Sequence, residues 1–208
     1  MDVFQLLDLN ITYTIKLKNE WRFGIRFKPG ISSNLEANDL TFEDLVFLND
    51  IALIKDKTNN SRAKRPFRLI PGVSYSQNRG FPFPLPFVSY YRKLNNKWSY
   101  NLGGGKTNIQ YHFSKSKRKK AFVQLDGFTA HIQKGVVLDA GFAERINMSL
   151  MISGLQYEYH FGKHFEIHIQ TAYLLRRDVY LRNTKNENIL LIHNSNGASL
   201  RAGIKFKI

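Results

Sequence analysis

The last eleven residues alternate without a break, with Ala198, Leu200, Ala202, Ile204, Phe206 and Ile208 on one face and Ser199, Arg201, Gly203, Lys205 and Lys207 on the other. A period of two defines a strand, apolar on one side and polar or basic on the other. A soluble sheet rarely leaves such a strand bare, because its edge and its apolar face both need covering. A barrel in lipid pairs the edge and turns that face to acyl chains. The pattern therefore predicts a closing strand of a membrane barrel.

The same alternation fills the rest of the chain. Leu9, Ile11, Tyr13, Ile15 and Leu17 share a face, and after Lys18-Asn19-Glu20 the pattern resumes with Trp21, Phe23, Ile25 and Phe27. Pairing Leu17 with Trp21 sets Ile15 opposite Phe23, Tyr13 opposite Ile25 and Ile11 opposite Phe27, so the hairpin has one continuous apolar face. A second hairpin turns at Gly162-Lys163-His164. It sets Phe161 against Phe165, Tyr159 against Ile167 and Tyr157 against Ile169, with His160–Glu166, Glu158–His168 and Gln156–Gln170 on the opposite face. Between these hairpins the pattern predicts strands over 45–55, 67–77, 87–93, 98–102, 106–113, 121–132 and 146–161. In the last of these the apolar phase moves from even to odd positions at Ser153-Gly154, which predicts a bulge at Gly154.

Connections alternate in length. They are short at 18–20, 95–97 and 162–164, and longer at 29–40, 79–86, 133–145 and 182–197. Outer-membrane barrels have short periplasmic turns and long external loops. The fold class read here is all-β, an antiparallel up-and-down transmembrane barrel and one domain over 1–208, with eleven strands visible. Bacterial single-chain barrels use even numbers. A twelfth, ascending strand and a signal peptide are therefore expected before Met1.

Composition narrows the partners. The 208 residues carry 31 Lys plus Arg against 16 Asp plus Glu, a formal charge of +15, and 13% are aromatic. Such a balance suits nucleic acid or an anionic membrane surface. There is no cysteine, which removes disulfides and thiolate metal sites. The apolar runs, such as 51–54 and 150–152, are far shorter than the roughly 20 residues of a membrane helix. Met1-Asp2-Val3-Phe4 has none of the features of a secretory signal, so either the protein is cytoplasmic or Met1 is not its natural start.

Candidate chemistry is sparse. Gly105-Lys106-Thr107 has the end of a phosphate-binding loop, but Tyr100 stands where the first glycine belongs and 108–113 alternates as a strand; a glycine turn is the reading. His160, His164 and His168 are spaced by four, a helical spacing that a hairpin breaks, which leaves a polar ladder rather than a metal site. The basic run 115–120, flanked by Phe113 and Phe122, reads as a turn beside an interface girdle of aromatics rather than a nucleic-acid contact. The residues expected to line the lumen are Arg22, Arg26, Asp126, Glu158, His160, Glu166, His168 and Arg201. Asp126 is expected to accept a bond from a basic neighbour. No catalytic, cofactor-binding or metal residue is assigned.

Four segments carry a family resemblance: Gly80-Phe81-Pro82-Phe83-Pro84-Leu85-Pro86-Phe87 with the strand it leads into, Lys97-Trp98-Ser99-Tyr100, Leu125-Asp126-Gly127-Phe128, and the ending Gly203-Ile204-Lys205-Phe206-Lys207-Ile208. Together they resemble an uncharacterised family of outer-membrane β-barrel proteins of Bacteroidetes-type bacteria. The resemblance implies location and architecture, and no catalytic residues. The alternating prolines of 81–86 exclude a central strand, and an extended loop that folds over the barrel or sits at the lipid interface is expected there. The partners that follow are outer-membrane lipid, the barrel-assembly machinery through the C-terminal strand, and an unidentified small solute or surface ligand, with no nucleic acid. The function expected is a narrow pore or a structural, surface-binding barrel. The alternatives are an outer-membrane enzyme acting on lipid or glycan, and a soluble basic β-protein that binds nucleic acid.

Overall fold

The computed structural model describes residues 4–35, 40–58, 66–77, 83–162, 164–193 and 195–206. They form β1 (Gln5–Asp8), β2 (Ile11–Lys16), β3 (Trp21–Ser33), β4 (Leu45–Asp56), β5 (Phe67–Ser76), β6 (Leu85–Lys93), β7 (Trp98–Gly103), β8 (Lys106–His112), β9 (Lys117–Leu138), β10 (Gly141–Phe161), β11 (Phe165–Arg182), β12 (Asn188–His193) and β13 (Gly197–Phe206), with one 3-10 turn at Phe42–Asp44. All thirteen belong to one sheet, antiparallel between chain neighbours from β3 to β11. Ser33, at the end of β3, meets His131 of β9 in parallel. That contact closes β3 to β9 into a seven-strand barrel at the end where Ser33 and His131 lie, with β1 and β2 outside β3; the sheet continues from β9 into β10–β13, whose inner face runs on from that of β9, as the reach of Lys106 to Gln156 and of Arg201 to Asp126 shows.

The thirteen segments make eleven crossings. β1 and β2 lie on β3 in one unbroken register, from Gln5↔Ser33 to Lys16↔Arg22. They separate at Leu9, whose N–H donates to the Pro29 carbonyl at 2.9 Å; Pro29 has no N–H to return the bond. β12 and β13 likewise share the edge of β11. Both predicted hairpins have the predicted pairs, Ile11↔Phe27 to Ile15↔Phe23 in the first and Gln156↔Gln170 to Phe161↔Phe165 in the second. The first turn is closed by Asn19 and Glu20, both in the left-handed region with φ of 58° and 65°.

Several expected boundaries move. The predicted 29–40 loop gives up Pro29 to Ser33, which continue β3. The 133–145 loop is mostly strand, because β9 and β10 run to Leu138 and from Gly141. Its irregular composition reflects a kink, where residues 132–135 oppose the single Glu144 and Lys134 and Gly135 both take positive φ. The basic run 115–120 is strand from Lys117 onward, where β9 begins, and the 182–197 loop contains β12. Pro86 lies within β6 opposite Val73. Phe81, Pro82, Lys163, Lys207 and Ile208 lie outside the described residues.

The bulge expected at Gly154 is absent. β10 keeps one register with β9 from Arg145 to Tyr159, and the extra residue is Leu175 on β11, between the partners of Met151 and Ile152. Even positions of β10 face inward on both sides of Gly154: Leu150 and Ile152 above it, Gln156 and Glu158 below it, all buried. What changes there is the content of the inner face, not its phase. Leu150 and Ile152 join Phe122 in a small apolar cluster inside the barrel. Gly154 is needed for a different reason, since a Cβ there would collide with the Thr171 carbonyl oxygen and the Ala172 backbone.

Gly154→Val is therefore expected to force β10 and β11 apart and to destabilise the fold by about 1–3 kcal/mol. Urea midpoints of the refolded protein measure the loss.

Candidate functional site in the barrel interior

Alternation puts the polar residues inside. Ser74, Ser99, Asn108, Gln110, Gln156, Glu158, Glu166 and Gln170 are all buried, while Val73, Leu102, Ile109, Leu155 and Ile169 on the opposite faces of the same strands are exposed. The charged members of the inner face are tied across strands. Glu158, 1% exposed, binds Lys120 at 2.5 Å and Arg118 at 3.4 Å on β9 and accepts a bond from the Gln156 amide at 2.7 Å. Glu166 binds Lys205 of β13 at 3.2 Å, with His160 Nδ1 3.7 Å away. Arg26 pairs with Asp50 between β3 and β4. Arg201 reaches Asp126 at 2.9 Å although β10 and β11 lie between their strands, a reach that crosses the concave side.

The eight residues expected in the lumen are thus placed on one surface, with differences in detail. Glu158 stands opposite His168 in register, but its charge is taken up by β9. His168 instead lies against Gly203, where a Cβ would come within 2.7 Å of its ring. Arg22 is on the inner face but stays exposed near the end of the barrel. Glu158, His160 and Glu166 bring ligand-type atoms within 4.8 Å of one another, a set with the chemistry to hold a metal ion. Lys120, Arg118 and Lys205 already occupy its carboxylates, and their positive charge opposes a cation. Phe122, expected in the aromatic girdle, faces inward with the Lys106 ammonium 4.6 Å from its ring centroid. Its even position in β9 decides this.

A second cluster was not foreseen. At the end where Ser33 meets His131, Asp44 is fully buried. Its Oδ2 accepts bonds from the Thr41 N–H (2.8 Å), the Thr41 hydroxyl (3.0 Å) and the Gln133 amide (2.8 Å), and its Oδ1 lies 2.8 Å from His131 Nδ1. Burial favours the neutral acid, but the bonds from Ser33, Thr41, His131 and Gln133 outweigh it and hold the carboxyl well below the usual range. The Ser32 hydroxyl donates to the Thr129 carbonyl at 2.7 Å and the Gln133 N–H to Asn34 Oδ1 at 3.0 Å. The cluster therefore clamps the β3–β9 closure. A histidine held by a carboxylate is half of a hydrolytic triad, but His131 Nε2 faces Glu43 at 3.2 Å rather than a hydroxyl. Only the spacing Thr41-x-x-Asp44, a capping-box pattern, marked this turn in the sequence.

An up-and-down barrel with a paired, polar interior is the class of protein these features define. The chain belongs to the DUF6268 family, a domain of unknown function, whose model matches residues 3–208. No curated protein and no solved structure matches it.

Because the folded Asp44 carboxyl ionises more readily than an unfolded one, ionised Asp44 stabilises the fold above about pH 3.9, the unfolded value. That contribution is lost as pH falls through the lower folded value. The stability difference between the parent and Asp44→Asn, read from urea midpoints, is expected to be full at neutral pH and to shrink below about pH 4.

Proposed function

We propose that this chain is an integral outer-membrane β-barrel of a Gram-negative bacterium, a non-enzymatic barrel with a narrow, charge-lined interior. The observation that carries this reading is the inversion of the usual order of burial. Asn147, Gln156, Glu158 and Glu166 are buried, while Ile11, Tyr13, Ile51, Leu155, Ile167 and Leu200 are exposed. In water that arrangement exposes apolar surface far beyond the patches tolerated on soluble proteins, and in lipid it is what a barrel wall requires.

Three further features agree. One group of exposed aromatics lies at the short-turn end, Trp98, Phe113, Phe161, Phe165 and Phe206, with Trp98–Tyr111 and Tyr111–Phe113 both edge-on at 4.9 Å and Phe165–Phe206 at 5.1 Å. Such rings form the interfacial girdle of a membrane barrel. β9, β10 and β11 have 22, 21 and 18 residues, against the roughly 9–11 that cross a bilayer, so they cross and project. The remaining edges, β2 and β13, run in the same direction and pair on one side only among the described residues. An apolar wall with such edges is tolerable in lipid only where they are covered. The resemblance to outer-membrane barrels of Bacteroidetes-type bacteria supports the same location, with bilayer lipid and the barrel-assembly machinery as partners.

Adjacent residues of one strand give the test. Tyr13→Arg puts charge on the lipid face and is expected to cost about 2–4 kcal/mol of folding into vesicles. Thr14→Arg, on the inner face, is expected to cost much less. Equal sensitivity at the two positions contradicts a lipid-facing wall.

A further inference from the structure

A cavity of about 950 Å³ opens inside the barrel at the short-turn end, between β5 and β9. Its cations are Arg68, Lys93, Lys97, Lys115, Arg118 and Lys120, and none of its lining residues is a carboxylate. The remaining lining is mostly hydroxyl and amide, including Ser89, Asn108 and Gln110, with the Tyr91 ring on one wall. Arg118 and Lys120 share the single buried Glu158 behind them. Lys93, Lys97 and Lys115 have no ion-pair partner among the described residues, and Arg68 lies over the Tyr91 ring at 5.6 Å with Asp56 of β4 opposite it in register. The interior charge is therefore unevenly distributed. On the β10–β13 side carboxylates and cations alternate, whereas on the β5–β9 side positive charge is in excess.

Like charges gathered around one concavity repel one another, and low-dielectric walls focus their field into it. A volume of this size is that of a small-molecule site, and a guanidinium beside several ammonium groups matches the oxygens of a phosphate. Hydroxyl and amide side chains add donors that suit the ester or sugar part of a phosphorylated solute. The geometry points to a binding site for a multivalent phosphate compound at this end of the barrel, held by Arg68, Lys93, Lys97, Arg118 and Lys120. The site is independent of whether the outer wall faces lipid, because its chemistry belongs to the inner face alone. None of these residues except Arg118 and Lys120 takes part in the ion pairs that order the interior.

The full chain, refolded in detergent, is titrated calorimetrically with inorganic pyrophosphate at fixed ionic strength. Saturable binding is expected, at least tenfold tighter than for chloride. Lys93→Gln and Lys97→Gln are each expected to weaken it several-fold, and Arg68→Gln with Lys93→Gln at least tenfold. Lys97 is an exposed turn residue, so its variant keeps the test open if the double variant does not fold. Lys18→Gln makes the same change of net charge in a turn at the same end, outside the cavity, and is expected to leave binding unchanged. Competition then separates two sources of the phosphate: displacement by glycerol 3-phosphate assigns a soluble ester, and displacement only by phosphatidate-doped micelles assigns a lipid headgroup. Binding no stronger than that of chloride, or an equal loss in Lys18→Gln, overturns the site.

Discussion

Glu158 is 1% exposed, and an ionised carboxylate at that depth is tolerable only when its charge is met at close range. Lys120 and Arg118 meet it from β9, and the same requirement recurs at the buried Glu166 with Lys205 and Asp50 with Arg26, while the half-buried Asp126 is paired with Arg201. Every one of these pairs joins two different strands. The interior is held in register by charge and amide contacts where a soluble barrel would use packed hydrocarbon, and the apolar cluster of Phe122, Leu150 and Ile152 is small beside it.

That arrangement sets what the two ends of the molecule can do. At one end the Asp44–His131–Gln133 network lies where β3 meets β9 and bonds the turn before β4 to β9. At the other, the short turns leave a cavity whose six cations outnumber the acids beside them, Glu158 and Asp56. On the proposed reading, a polar clamp at one end and a basic chamber at the other favour retention of a solute over free flow.

Much of this was legible in the sequence because a period of two reports face directly. The hairpin pairs at 11–27 and 156–170 follow from it, as do the inward positions of Arg26, Glu158, Glu166 and Arg201. Alternation misleads where faces and chemistry separate. Leu150 and Ile152 are apolar but inward, which made a continuous strand look bulged at Gly154. The long β9–β10 hairpin was hidden by a kink at Lys134-Gly135, where alternation is interrupted. Asp44 and His131 lie 87 residues apart, and only the curl of the sheet brings them together. The partner of Asp126 was foreseen as basic, but that it would be Arg201 depends on the concavity of the sheet.

The central claim is that the exposed apolar face is a lipid-facing wall around a polar interior. The most direct measurement is heat-modifiability of the full chain refolded in detergent, run unboiled against boiled on a denaturing gel, with circular dichroism on the same sample. The account predicts a faster-migrating unboiled band with a strong β spectrum, lost on boiling. A stable detergent-free monomer with no band shift would contradict it.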